Sequence, residues 1–528
     1  AAITNMIIAQ GEETYTLDSL LFASVNESRK SEINFSSALG GVKYSGTISP
    51  ADISAQLNNF FIIYFPFGND TLLENNDEPT DFNFEIQLHN HPLISNVLLP
   101  QLKEFEPGII QGNFDSEKND LRINARMNKI VYGTTQIADF EFDVNSNPGA
   151  LNFKISSNAI SNAQINLENF LIDGKLADDK INTTISSVDE KKNKKLLIST
   201  EITKEGENFR LALDPNDFYL ANKQWDIAAD NYVEFGKQGF LIHHLLMNKT
   251  GSEVNIASVN DRFNDDLNIE IRNFKLEDIS EIIENDTGFV RGTVDGNALL
   301  KRVNDSYGLI ADANIANLFV SGVPVGNLTV KAENPTTEKF DFDINLSGTE
   351  NNLTTKGYYI AKGGDNSISL TTDIQSLSLK TIQAFSMGTI TEASGNLSGN
   401  FLVEGNSTSP EITGELIFKN AFITPAALNN RLEIKDEYFQ LKKDGIYFDD
   451  FTIYDVSQNA AVINGAVNMN HYTDFTFDLS VSTNDFLLFN TTKNDNELFF
   501  GRMIIDSDID VTGPMALPVV NAKIKMKE

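Results

Sequence analysis

In the segment Phe475-Thr476-Phe477-Asp478-Leu479-Ser480-Val481-Ser482, every second residue is apolar and every intervening one polar. The alternation recurs as Phe82, Phe84, Ile86, Leu88; Phe140, Phe142, Val144; Leu196, Ile198, Ile202; Phe340, Phe342, Ile344, Leu346; and Ile505, Ile509, Val511. Side chains of a strand point alternately to opposite faces, so the pattern predicts a long antiparallel sheet that is oily on one side only. Turn signals are short and frequent, among them Asn147-Pro148-Gly149, Asp173-Gly174, Asp214-Pro215-Asn216, Lys362-Gly363-Gly364 and Lys443-Asp444-Gly445. They predict neighbouring strands joined as a meander. Roughly two dozen strands spaced about 4.8 Å apart would extend one sheet to about 110 Å. Twist and in-strand glycines would curve it about its apolar face.

A few stretches carry helical rather than strand spacing, and each precedes a glycine pair. Leu98, Leu102 and Phe105 lead to Gly108 and Gly112; Leu276, Ile279, Ile282 and Ile283 to Gly288 and Gly292; Leu379, Ile382 and Phe385 to Gly395 and Gly399. The last two copies lie about a hundred residues apart, the mark of stacked repeats rather than globular domains. The glycines are read as tight backbone turns. A further helical stretch, Ile53, Leu57 and Phe60, runs into Phe61-Ile62-Ile63-Tyr64-Phe65-Pro66. It reads as a core helix stopped by Pro66, or as a plug on the apolar face. The organisation expected is 1–106, an N-terminal repeat with an amphipathic helix; 107–275, a central β-meander; 276–378, a third repeat; and 379–528, a fourth leading toward a further domain.

Composition narrows the chemistry. Across 528 residues, 74 acidic against 41 basic side chains give a net charge of −33, which repels nucleic acid and anionic membrane surfaces. The run Lys191, Lys192, Lys194, Lys195 reads as a loop. With no cysteine, thiolate zinc and disulfide scaffolds are excluded. The apolar stretches Phe60–Phe67 and Phe240–Met247 fall far short of the roughly 20 residues that span a bilayer. His89 and His91 would share a strand face but have no third ligand, and His243, His244 and His471 are weaker still as metal ligands. Asp506, Asp508 and Asp510 read as a solvated strand face, and Trp225 as packing. No nucleophile elbow, phosphate loop or dinucleotide fingerprint is present. We expect no enzyme, no catalytic or metal site and no cofactor.

The residues from Leu377 onward resemble the TamB/AsmA-like repeat family. The likeness is carried by Gly395-x-x-x-Gly399, Val403-Glu404-Gly405, Pro410-Glu411-Ile412-Thr413-Gly414-Glu415-Leu416, the run Asn490 to Gly501, and Val511-Thr512-Gly513-Pro514. Tyr15 to Leu20 and the Phe60 to Pro66 run are similar to the middle of such proteins. The resemblance implies a mostly β fold, an elongated curved antiparallel sheet forming a β-taco or half-pipe groove with a few short helices. It also implies a periplasmic protein anchored in the inner membrane by a segment absent from this chain. Its partners would be phospholipid acyl chains and, through other missing segments, a TamA-like barrel of the Omp85 type. The implied role is phospholipid conduction between membranes, with assistance to outer-membrane protein assembly as the alternative.

The residues themselves lead to a similar place. A one-sided apolar sheet in water must be covered by a second sheet, by its own curling or by a ligand. A compact sandwich satisfies the same alternation; acyl chains also fit, because they need apolar surface without directional polar partners. The inward, lipid-facing positions expected are Phe340, Phe342, Ile344, Phe418, Phe448, Phe451, Ile453, Phe475, Phe477, Leu479, Ile509 and Val511.

Overall fold

The structure, a computed structural model, describes residues 1–10, 13–67, 78–162, 166–283, 289–303, 306–336, 338–361, 366–386, 388–469, 474–493 and 500–527. The expected Gly288, His471, the Lys362-Gly363-Gly364 turn and residues 494–499 of the family-like run lie outside them. Among the described residues 36 strands and three α-helices form, and 71% of the chain is strand against 7% helix. The fold is therefore the mostly β, curved antiparallel architecture that the alternation predicts. The chain divides into two compact units, one of residues 1–265 with 278–287, the other of 266–277 with 288–528.

In the first unit a 17-stranded sheet runs as an antiparallel meander. Directly paired residues in such a sheet share a face. The register therefore aligns Phe82, Phe114 and Leu121 in one apolar run and Leu151 and Leu176 in another, with Ser146 opposite Leu151 between them. Across these runs lies helix α1, Ile53–Ile62. A 3-10 turn, Pro50–Asp52, leads into it, and Ser49 caps the turn by accepting from the Ala51 N–H at 3.1 Å. The helix and its tail bury Phe60, Tyr64 and Phe65 in the same cluster as Phe82, Phe114, Leu151 and Leu176. Tyr44, in that cluster, donates its hydroxyl to the Ile48 carbonyl at 2.7 Å, and burial pushes it up to about 12, so it stays protonated. Helix α2, Glu277–Ile283, sets the fully buried Asp278 against the Lys223 ammonium at 2.8 Å and against that of Lys249.

In the second unit an unbroken meander runs from strand Leu267–Lys275 to strand Val519–Met526. Helix α3, Leu379–Phe385, packs Leu379 and Ala384 inward and ends ahead of Gly388 at φ +85°. Its seat is polar as well as oily. Buried Asn351 donates to the Val325 carbonyl at 2.7 Å and to Thr381 Oγ1 at 2.9 Å, and accepts from the Ser378 N–H at 2.8 Å.

Two sequence expectations are corrected. Leu98, Leu102 and Phe105 do not share a helix: a single helical turn at Ile94–Leu98 is followed by the short strand Leu102–Phe105. Leu102 and Phe105 instead pair with Tyr132 and Ile130 of strand Asp120–Tyr132, so sheet pairing overrides a helical spacing only three residues long. Nor are the spaced glycines tight turns, because Gly108, Gly112, Gly292, Gly395 and Gly399 all lie within strands. At Gly399, φ is +135° and an added Cβ would collide with the Glu415 carbonyl of the neighbouring strand. The residue buys a bend and a close approach of backbones there.

Candidate functional site

The second unit carries one continuous apolar face, traceable pair by pair. From Ile344 it runs through Thr355, Thr372, Phe401, Gly414, Leu441, Ile446 and Val467 to Phe477 and Gly513. A second row joins Phe448, Gly465, Leu479, Val511 and Val520, and a third Phe451, Ile463, Val481, Ile509 and Ala522. Side chains two apart on a strand share a face, so the register sets all the expected lipid-facing residues, from Phe340 to Val511, on the same side.

They are not equally covered. Phe418, Phe448, Phe451 and Ile453 belong to a packed cluster with Leu379, Leu397, Leu416 and Ile434. Their rings interlock, with centroids 6.0 Å apart for Phe418 and Phe451 and 5.3 Å for Phe448 and Phe451. Phe451 is buried and Phe418, Phe448 and Ile453 half-buried, whereas Phe340, Phe342, Ile344, Phe475, Phe477, Leu479, Ile509 and Val511 are half-buried and lie outside that cluster. The face thus has a closed part, packed in the cluster around buried Phe451, and an open part outside that cluster. The one polar step in the first row is quenched internally, since Thr355 and Thr372 share a hydrogen bond at 3.0 Å.

The sequence reading missed Phe401, Phe439, Leu441, Ile446 and Val467, which extend this face. Phe439 and Leu441 do alternate, but over a strand of only five residues, Tyr438–Lys442. Also missed was the device that keeps Phe448 and Phe451 on one side although they are three apart. A bulge falls between them, with Asp450 at φ +48°. Its N–H donates to Asn464 Oδ1 at 2.7 Å, and Asn464 Nδ2 returns a hydrogen bond to Asp450 Oδ1 at 3.0 Å. The same stitch recurs where the Asn317 N–H meets Asn327 Oδ1 at 2.9 Å and the Asp485 N–H meets Asp506 Oδ1 at 2.8 Å.

Elsewhere the side chains with chemical potential have structural partners. His91 Nδ1 accepts from the Leu93 N–H at 3.1 Å, beyond the end of strand Asp81–Leu88, so His89 and His91 do not share a strand face. His243 pairs with Asp261 at 2.8 Å and His244 with Asp230 at 2.7 Å. The His244 ring holds the Asp230 carboxyl below its ordinary range. Among the described residues no group of three or more His, Asp or Glu side chains is placed to hold a metal ion. Trp225 is 1% exposed, with the Lys249 ammonium 5.1 Å from its ring. A concave depression of about 840 Å³ lies on the polar face of the first unit, lined by residues such as Asn34, Asn83 and Gln111. Across it Lys43 already pairs with Glu85 at 3.5 Å, and Asn124 with Asp143. We give the apolar face precedence over this depression, because water satisfies polar groups but not an oily surface.

A meander whose apolar face is continuous across strands and left half-covered defines a class of proteins built around an extended oily surface rather than a catalytic cleft. The particular relationship comes from comparison: residues 449–528 match the family model described as the TamB C-terminal domain. The recognition of a TamB-like segment is thus shown for this stretch, which supplies Phe451, Phe475, Phe477, Leu479, Ile509 and Val511 of the face. No curated protein and no solved structure matches the chain. The match links residues 449–528, rather than the chain as a whole, to this envelope-associated family. No described helix is long and apolar enough to cross a membrane.

Proposed function

We propose that this chain is a segment of a periplasmic, bridge-like lipid transfer protein, in which phospholipid acyl chains lie along the half-covered face of the second unit. The observation that carries the reading is the unbroken register of apolar rows from Ile344 to Val520 with its open part half-exposed. A surface of this kind prefers to leave water by about 1.5 to 3 kcal/mol for each fully buried Phe, Leu, Ile or Val. Acyl chains supply that cover without demanding hydrogen bonds, and the polar outer face stays solvated. Inner-membrane anchorage and an Omp85-type partner at the other membrane belong to the same proposal, through segments other than this one.

Two substitutions on adjacent residues test the assignment of faces. Phe477 lies on the apolar row, while Asp478 is exposed on the polar side. Phe477→Asp places a charge among acyl chains, at a cost of several kcal/mol, and lowers the lipid recovered with the protein. Asp478→Lys leaves it unchanged. Equal lipid content in the two folded variants would count against the proposal.

A second reading has its own observation. Every residue of strand Val519–Met526 is exposed, and it pairs with strand Gly501–Pro514 on one edge only among the described residues. An unpaired edge of this kind can accept a further strand by β-augmentation, as a scaffold for outer-membrane protein assembly would. Binding of a strand-forming peptide that survives Phe477→Asp favours this scaffold; its loss in that variant favours the groove.

A further inference from the structure

The two units close their apolar faces with helices held in physically different ways. Helix α3 is stitched by hydrogen bonds: two buried ones, in which Asn351 donates to Thr381 Oγ1 and accepts from the Ser378 N–H, and two less buried ones, in which the Gln383 amide donates to the Thr391 carbonyl at 2.8 Å and accepts from the Ala393 N–H at 2.9 Å. Withdrawing it would strand the Asn351 amide, which is inside the protein, so it is a fixed wall. Helix α1 lies on the first unit's face chiefly through rings. Phe60 meets Phe114 edge to face at 5.3 Å, and Phe65, 1% exposed, stacks on Phe209 at 5.9 Å. The Tyr64 hydroxyl donates to the Asn147 carbonyl at 3.2 Å, near the upper limit of a hydrogen bond.

The runs beneath α1 are of the same kind as the open face of the second unit. Phe82, Phe114 and Leu121, and likewise Leu151 and Leu176, are aligned by register, as Ile344, Phe401 and Phe477 are, yet each is at most 5% exposed. Phe60 of α1 and Tyr64 and Phe65 of its tail pack into the same cluster as these residues. Apolar contact is non-directional, so the rings can be exchanged for another oily occupant of similar volume without breaking a directional bond of their own. On the reading of the face as a lipid groove, we propose that α1 with Tyr64 and Phe65 is a displaceable plug, occupying in the first unit the position that acyl chains take in the second.

The test uses the full chain and a phosphatidylethanolamine carrying a photoreactive diazirine in one acyl chain, with labelled peptides located by mass spectrometry. In the unaltered protein, label falls on peptides containing Phe342, Phe477 and Val511 and is absent from those containing Phe114, Leu151 and Leu176. In the double variant Phe60→Ala, Phe65→Ala, label appears on the second set while labelling of the first is unchanged. Tyr64→Phe removes only the hydroxyl contact, leaves the core filled and gives a smaller gain at the same peptides. Equal labelling of both sets in the unaltered protein defeats the plug and leaves the groove standing. The plug is likewise defeated if Tyr64→Phe and the folded double variant show no gain. Absence of label everywhere defeats the groove and the plug together.

Discussion

Asn351, 1% exposed, spends its amide on the Val325 carbonyl and Thr381 and its carbonyl on the Ser378 N–H, fixing the start of α3. Replacing it with Leu keeps the bulk but strands those partners, at about 1–3 kcal/mol for each buried group left unsatisfied. Asn351→Leu is therefore expected to lower unfolding stability by about 2–5 kcal/mol in urea titration; a change below about 0.5 kcal/mol would show that water replaces the side chain freely. Glu437 illustrates the opposite sense of burial. Desolvation raises its carboxyl above the ordinary value, so the folded chain holds that proton more tightly than the unfolded one. The penalty for ionising it is absent below the unfolded value and complete above the raised folded one. Lowering pH through that window should stabilise the protein relative to Glu437→Gln, and identical pH profiles for the two would contradict the assignment.

At the scale of elements, the bulge at Asp450 decides which side Phe451 and Ile453 face. Removing its stitch with Asn464→Ala should cost about 1–2 kcal/mol, whereas Asp450→Gly, compatible with φ +48°, should cost little on the folded side. If thermal melts rank these two substitutions the other way, the bulge is not held as described. The same bulge marks the limit of what the sequence discloses. Strands of eight or more residues announce themselves by alternation, as Phe475 to Ser482 does, and α1, α2 and α3 by helical spacing. The bulges do not, because an Asn or Asp at positive φ in a strand looks like any other solvated polar residue until the residue across the ladder is known. For that reason Phe486 and Leu487, adjacent in sequence and both buried, break the alternation of strand Phe475–Thr491 where Asp485 bulges. The division of the face into a closed part and an open one was also hidden, since it depends on which residues join the cluster around Phe451 rather than on residue type.

At the scale of the molecule, a net charge of −33 loads the polar face with mutual repulsion that salt screens over about 10 Å at 0.1 M. Thermal stability should rise between about 10 mM and 150 mM NaCl, and a fall would mean that exposed pairs such as Lys356 with Asp343, 2.9 Å apart, outweigh the repulsion. The central claim concerns the other face, where Phe342, Phe477 and Val511 stand half-buried among the described residues. Organic extraction and native mass spectrometry of the purified chain test it most directly. The account predicts that fatty-acyl lipid, or detergent in its place, comes through purification bound to the protein and is reduced by Phe477→Asp; a lipid-free, detergent-free monomer with these positions shielded from solvent would contradict it.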